Sequence, residues 1–99
     1  SWRSYILNIE DEKIIIAGGK TQGIKVGDTF NIFKKGDVVT NPQTGMKIEL
    51  PGELIGTIKI TNTVGSNIND EICFAKSIKG KIDIPDFKDY YVEEIFDNK

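Results

Sequence analysis

The sequence predicts an all-β fold, a small antiparallel β-barrel of five or six strands with a short C-terminal extension, and three observations carry that prediction. Turn-forming residues recur at short intervals, the segments between them alternate apolar and polar positions, and those segments are rich in β-branched residues. So few short strands cannot build a two-sheet sandwich of ordinary size, whereas curling into a barrel removes most exposed edges. At 99 residues the chain has room for one small core.

Taken in order, Tyr5-Ile6-Leu7-Asn8-Ile9 reads as the first strand, and Glu10-Asp11-Glu12 turns the chain into its hairpin partner, Lys13-Ile14-Ile15-Ile16-Ala17. Gly18 to Gly23 forms a loop whose glycines tolerate positive φ, and Ile24-Lys25-Val26-Gly27-Asp28 makes a second tight turn. The next strand runs from Thr29 to Lys34 and is broken by Lys35-Gly36-Asp37. Val38 to Gly45 reads as a short extension ending in a turn, with Pro42 fixing φ and Gly45 closing it, and Met46 to Leu50 as a brief edge strand. From Glu53 to Val64 alternation is clearest: Leu54, Ile58, Ile60 and Val64 share the inner face. Gly56 on that face predicts a bulge or a sharp bend. A polar loop over Gly65 to Asp70 leads to a strand from Glu71 to Ile78. Its inward face stays open, since Ile72, Phe74 and Ile78 oppose the small Cys73, Ala75 and Ser77.

After Gly80 the pattern changes. Lys81-Ile82-Asp83-Ile84 is a candidate last strand, so the barrel domain is placed at residues 1–84 and an acidic, aromatic extension at 85–99. Two readings of the extension compete. Phe87, Tyr90, Tyr91 and Ile95 recur at near-helical spacing behind Asp86 as N-cap, which predicts an amphipathic turn packed on the barrel; the other reading is a mobile or partner-binding tail. Either way, removing residues 86–99 is predicted to leave a folded barrel.

Composition excludes several chemistries. Thirteen Lys+Arg against fifteen Asp+Glu give a net charge of -2 and no basic footprint for nucleic acid or an anionic membrane. No apolar run is long enough for a membrane-spanning helix, so direct membrane insertion is not expected. With no His and one Cys there is no internal disulfide, no ordinary zinc site and no Cys-His or Ser-His couple. Cys73 reads as a small buried hydrophobe. Gly19-Lys20-Thr21 resembles the end of a phosphate-binding loop, but position 14 is Ile14 where the first glycine belongs, and no helix follows. The acidic runs Glu10-Asp11-Glu12, Asp70-Glu71 and Glu93-Glu94 read as solvated turns. Asn67, Asn69, Asp70 and Glu71 offer oxygen ligands without the spacing of a calcium loop. No catalytic residue, metal site or cofactor is therefore expected. Ser1-Trp2, without an initiating Met, reads as a junction within a longer polypeptide.

The aromatic residues are the remaining candidates for contact. Phe33 opposes the Phe30/Ile32 face and is predicted to be exposed, and Trp2 and Tyr5 lie where a preceding domain would touch. With Tyr90 and Tyr91 of the extension, Trp2 and Phe33 form the expected partner-binding set.

The order and spacing of the glycine turns resemble a known family. Ile14 to Gly19, Gln22 to Phe33, Asn41-Pro42-Gln43-Thr44-Gly45, Ile55 to Thr61 and Cys73 to Gly80 are together similar to the C-terminal domain of the flagellar assembly protein FlgT, and to related domains that follow CsgG-like and other bacterial envelope proteins. The likeness covers roughly residues 3–80 and ends where the family's final strand gives way to Asp83-Ile84-Pro85-Asp86-Phe87. It implies a small β-barrel that serves as an accessory or docking module of the cell envelope or periplasm, with no catalytic residues. The expected function is thus a non-enzymatic interaction module, the C-terminal domain of a larger envelope or secreted protein, contacting a protein partner or its own neighbouring domain. The alternative is a ligand-binding barrel for a glycan or single-stranded nucleic acid.

Overall fold

The computed structural model describes residues 3–95 and contains nine strands. They are β1 (Arg3–Ser4), β2 (Ile6–Glu10), β3 (Lys13–Ala17), β4 (Thr29–Lys34), β5 (Val38–Thr40), β6 (Lys47–Glu49), β7 (Glu53–Val64), β8 (Ile72–Lys79) and β9 (Tyr90–Glu94). Seven of them form one antiparallel sheet in the order β1-β9-β4-β7-β8-β3-β2, and β5 and β6 form a separate ribbon. The edge strands β1 and β2 are two halves of one extended segment, interrupted at Tyr5. Across that break the Ala17 amide donates to the Tyr5 carbonyl at 3.0 Å, so the sheet curls until its two edges meet in a nearly closed, barrel-like wall.

Alternation within each strand fills the interior. Ile6, Ile14, Ile16, Phe30, Ile32, Ile58, Ile60, Tyr90 and Val92 are all buried in one cluster, which also holds Ile24 from the turn before β4. On β8 the open choice falls to the small residues: Cys73 and Ala75 point inward while Ile72 and Phe74 are half-buried. Small inner residues there leave room for the facing isoleucines of β3 and β7, since β8 pairs with both. Leu54 and Val64, expected inside, are exposed, and only the middle of β7 is buried. A twelve-residue strand outruns the height of so small a barrel, so its two ends extend past the core.

The bend expected at Gly56 is present. Gly56 opposes Ile32 while Leu54 opposes Phe33, which leaves Ile55 as the extra residue of a bulge. A Cβ on Gly56 would lie 2.7 Å from Ile82 Cδ1 and 2.9 Å from the Lys79 carbonyl. At this point the loop after β8 folds back over the wall, and Ile82, Ile84 and Phe87 pack against the core without forming a strand.

The C-terminal segment corrects the sequence reading most. Asp86 does act as a cap, accepting from the Lys88 amide at 3.0 Å, but the capped element is a single 3-10 turn, Phe87–Asp89. The chain then extends, and β9 pairs with β4 on one side and β1 on the other. The barrel therefore continues through Glu94, past the boundary expected at residue 84. Phe87, Tyr90, Tyr91 and Ile95 fit a helical period, yet Tyr-Tyr-Val is equally a strand sequence, and two open edges needing ladder partners decide between them.

Candidate interaction surface

Between β4 and β7 the chain leaves the barrel as the β5–β6 hairpin. Asn41 organises its turn. Its side chain accepts from the Gln43 amide at 2.9 Å, its carbonyl accepts from the Gly45 amide at 2.8 Å, and its own amide donates to the Met46 carbonyl at 2.8 Å. Pro42 holds the φ that such a turn needs at its second position, and Gly45 takes the left-handed conformation that ends it, with φ 73°. At the root the Leu50 amide donates to the Asp37 carbonyl at 2.8 Å.

The register fixes the two faces of this ribbon. Val39 lies opposite Ile48, with Val38 opposite Glu49 and Thr40 opposite Lys47. Because side chains alternate, Met46 and Leu50 share the face of Ile48 and Val39. Val39, Met46, Ile48 and Leu50 are 42%, 66%, 47% and 41% exposed, so one face of the hairpin is an uncovered apolar row. A two-stranded ribbon is marginal by itself, and an apolar face on one is a surface awaiting cover.

The other face is tied to the barrel by Arg3. Its Nη1 donates to Glu49 Oε2 at 3.1 Å, its Nε lies 3.7 Å from Glu93 Oε2, and its Cζ sits 4.0 Å above the Tyr91 ring centroid. The hydrogen bond to Glu49 raises the Arg3 pKa, so the guanidinium keeps its charge throughout the accessible range. Tyr91 in turn stacks on Phe33, with centroids 5.3 Å apart and planes 19° from parallel.

The residues expected to meet a partner are thus placed differently. Phe33 is half-buried under Tyr91; Tyr90 points into the core and Tyr91 is covered on the outer wall, at 7% and 4% exposure. Strand formation by residues 90–94 is the physical reason, because it turns both tyrosines into wall residues. Trp2 lies outside the described residues. Sequence reading missed the row Val39, Met46, Ile48 and Leu50. The alternation Met46-x-Ile48-x-Leu50 was the available signal, but it does not tell a packed strand from an unpacked one.

Other candidate groups are engaged locally. Glu71, expected to be solvated, is buried at 7% exposure, and its carboxylate accepts from the Thr21 amide at 3.1 and 3.2 Å. That bond holds the 3-10 turn Lys20–Gln22 against the start of β8, which occupies the amide that a phosphate loop would need free. Asp70 Oδ1 accepts from the Ser66 and Asn67 amides at 3.1 and 3.0 Å, so the polar loop closes on itself. Among the described residues no cluster of three or more His, Cys, Asp or Glu side chains could hold a metal ion. Burial, and then the charges of Glu71 and Asp28, push the Cys73 thiol up to about 11. Burial and the neighbouring Asp28 carboxylate also hold Glu94 above its ordinary value. Tyr5, at 48% exposure, is the only exposed aromatic among the described residues, and Phe33, Phe74 and Phe87 are half-buried. A surface cleft of about 350 Å³ lies between Ile9, Glu12, Lys76 and Ile82 at the β2–β3 turn. No helix of the described residues is long and apolar enough to cross a membrane.

Compared with protein-family models, curated proteins and solved structures, the chain matches none, so the resemblance to the FlgT C-terminal domain stands on the spacing of its turns alone.

Proposed function

We propose that this chain is a non-enzymatic interaction module that docks a protein partner, or a neighbouring domain of its own polypeptide, through the apolar face of the β5–β6 hairpin. The observation that carries the reading is the uncovered row Val39, Met46, Ile48 and Leu50 on a ribbon that leaves the barrel. Its supports are a turn built by Asn41, Pro42 and Gly45 and an anchor at Arg3, which fix the ribbon's conformation before any partner arrives. A setting in the bacterial cell envelope rests on the turn spacing of residues 14–80.

Site-specific photo-cross-linking in the source cell tests the proposal. A photoreactive residue replacing Ile48 is expected to give discrete adducts with a second polypeptide, and the same group replacing Lys81 on the loop after β8 is expected to give none. No adduct from position 48, or equal adducts from both positions, would refute it.

A further inference from the structure

We infer that the hairpin pairs with a second copy of this chain, edge to edge along β6. This rests on the docking role proposed above for the hairpin and goes further by assigning its β6 edge, distinct from the apolar face, to a second copy. Alternate pairs of an antiparallel ribbon exchange hydrogen bonds, and here Asp37 bonds Leu50 and Asn41 bonds Met46. Val39 and Ile48 fall in the same series, so the amide and carbonyl groups of Lys47 and Glu49 point away from β5. Among the described residues β6 pairs with β5 alone, which leaves that outward edge open.

The side chains along the edge are self-complementary. Lys47-Ile48-Glu49 read against itself in antiparallel register places Lys47 opposite Glu49 of the second copy, Ile48 opposite Ile48, and Glu49 opposite Lys47. A two-fold axis through Ile48 therefore sets both charge pairs with opposite signs facing. The Lys47 and Glu49 backbones, already aimed outward, exchange their bonds across the axis. Ile48 meets its counterpart in a non-hydrogen-bonded pair, where facing side chains approach most closely. Glu49 gives Oε2 to Arg3 and keeps Oε1 for the incoming lysine. The outcome is a four-stranded sheet whose apolar row is doubled, which relieves the marginal stability of a lone ribbon.

Sedimentation equilibrium of the 99-residue chain tests the inference with charge reversals. The unaltered protein is expected to show a reversible monomer–dimer equilibrium with a Kd on the order of 100 μM, as befits so short an edge. Lys47→Glu and Glu49→Lys, each folded by circular dichroism, are each expected to weaken it by roughly tenfold or more, because like charges then face across the axis. An equimolar mixture of the two variants restores complementarity and is expected to associate as well as the unaltered chain. A chain that stays monomeric to about 1 mM, single reversals that dimerise unchanged, or a mixture that does not recover would each overturn the proposal. A monomer that still gives the position-48 cross-link to a different protein would overturn the second copy as occupant while leaving the docking role intact.

Discussion

Tyr91→Ala separates two roles for the C-terminal aromatics, because a partner-binding tyrosine on a tail and a wall tyrosine of a barrel respond oppositely to truncation. Tyr91 is 4% exposed, stacked on Phe33 at 5.3 Å and covered by Arg3 at 4.0 Å. A Cβ on Gly52 would lie 2.5 Å from its hydroxyl, so the hairpin's return also packs against the ring. Removing a ring so enclosed costs about 3–5 kcal/mol. That range includes ~1 kcal/mol from the stacked pair and ~0.5–1 kcal/mol from the guanidinium over the ring. Against a total stability of about 5–15 kcal/mol this is a large fraction. In urea, a loss of ~4 kcal/mol at a slope of ~1.5 kcal/mol per molar lowers the midpoint by roughly 2.5 M. A double-mutant cycle with Phe33→Ala should return a coupling of ~1 kcal/mol, since each ring is the other's contact. A midpoint shift equivalent to less than ~0.5 kcal/mol, the level of an ordinary surface change, would refute the placement of Tyr91 in the wall.

Three further outcomes follow from the same structure. Truncation after Pro85 removes β9, strips β4 and β1 of a ladder partner and takes Tyr90 and Val92 from the core, so it should abolish the cooperative thermal transition seen by circular dichroism; a retained sharp melt would show that the barrel closes without β9. Cys73, buried and with its thiol pushed up to about 11, should resist a thiol reagent in the native protein and react freely in urea, and prompt native labelling would contradict its burial. Its raised pKa means that the folded state holds the proton more tightly, so its contribution to stability is complete below the ordinary value of 9.0 and declines as pH rises through about 11; Cys73→Ala should flatten that decline. Gly27→Val should destabilise by ~1–2 kcal/mol because Gly27 holds φ 95°, whereas Asp70→Ala loses two exposed amide bonds and should cost ~1 kcal/mol or less; equal thermal midpoints would count against both assignments.

Much of the wall was readable residue by residue. Lys13–Ala17, Thr29–Lys34 and Glu53–Val64 have the strand limits that alternation and turn residues predict, and the bulge beside Gly56 follows from a glycine on an inner face. These features are local, since period-two patterning and turn chemistry act over a few neighbouring residues. The inner face of β8 was not readable, because Ile72 and Phe74 outweigh Cys73 and Ala75 in hydrophobicity and lose only for want of space.

The sequence by itself determined an antiparallel β-barrel with turns at given residues and Ile58 and Ile60 on an inner face, because those choices depend on side-chain period and on which residues tolerate a turn. Tertiary structure alone decided that Tyr90–Glu94 is a strand, that Glu71 is buried against Thr21, and that Val39, Met46, Ile48 and Leu50 are left bare. Each of these depends on what lies opposite a residue in space. An open β4 edge recruits β9, a turn amide offsets the desolvation of a carboxylate, and a hairpin without a third strand has nothing to cover its apolar face.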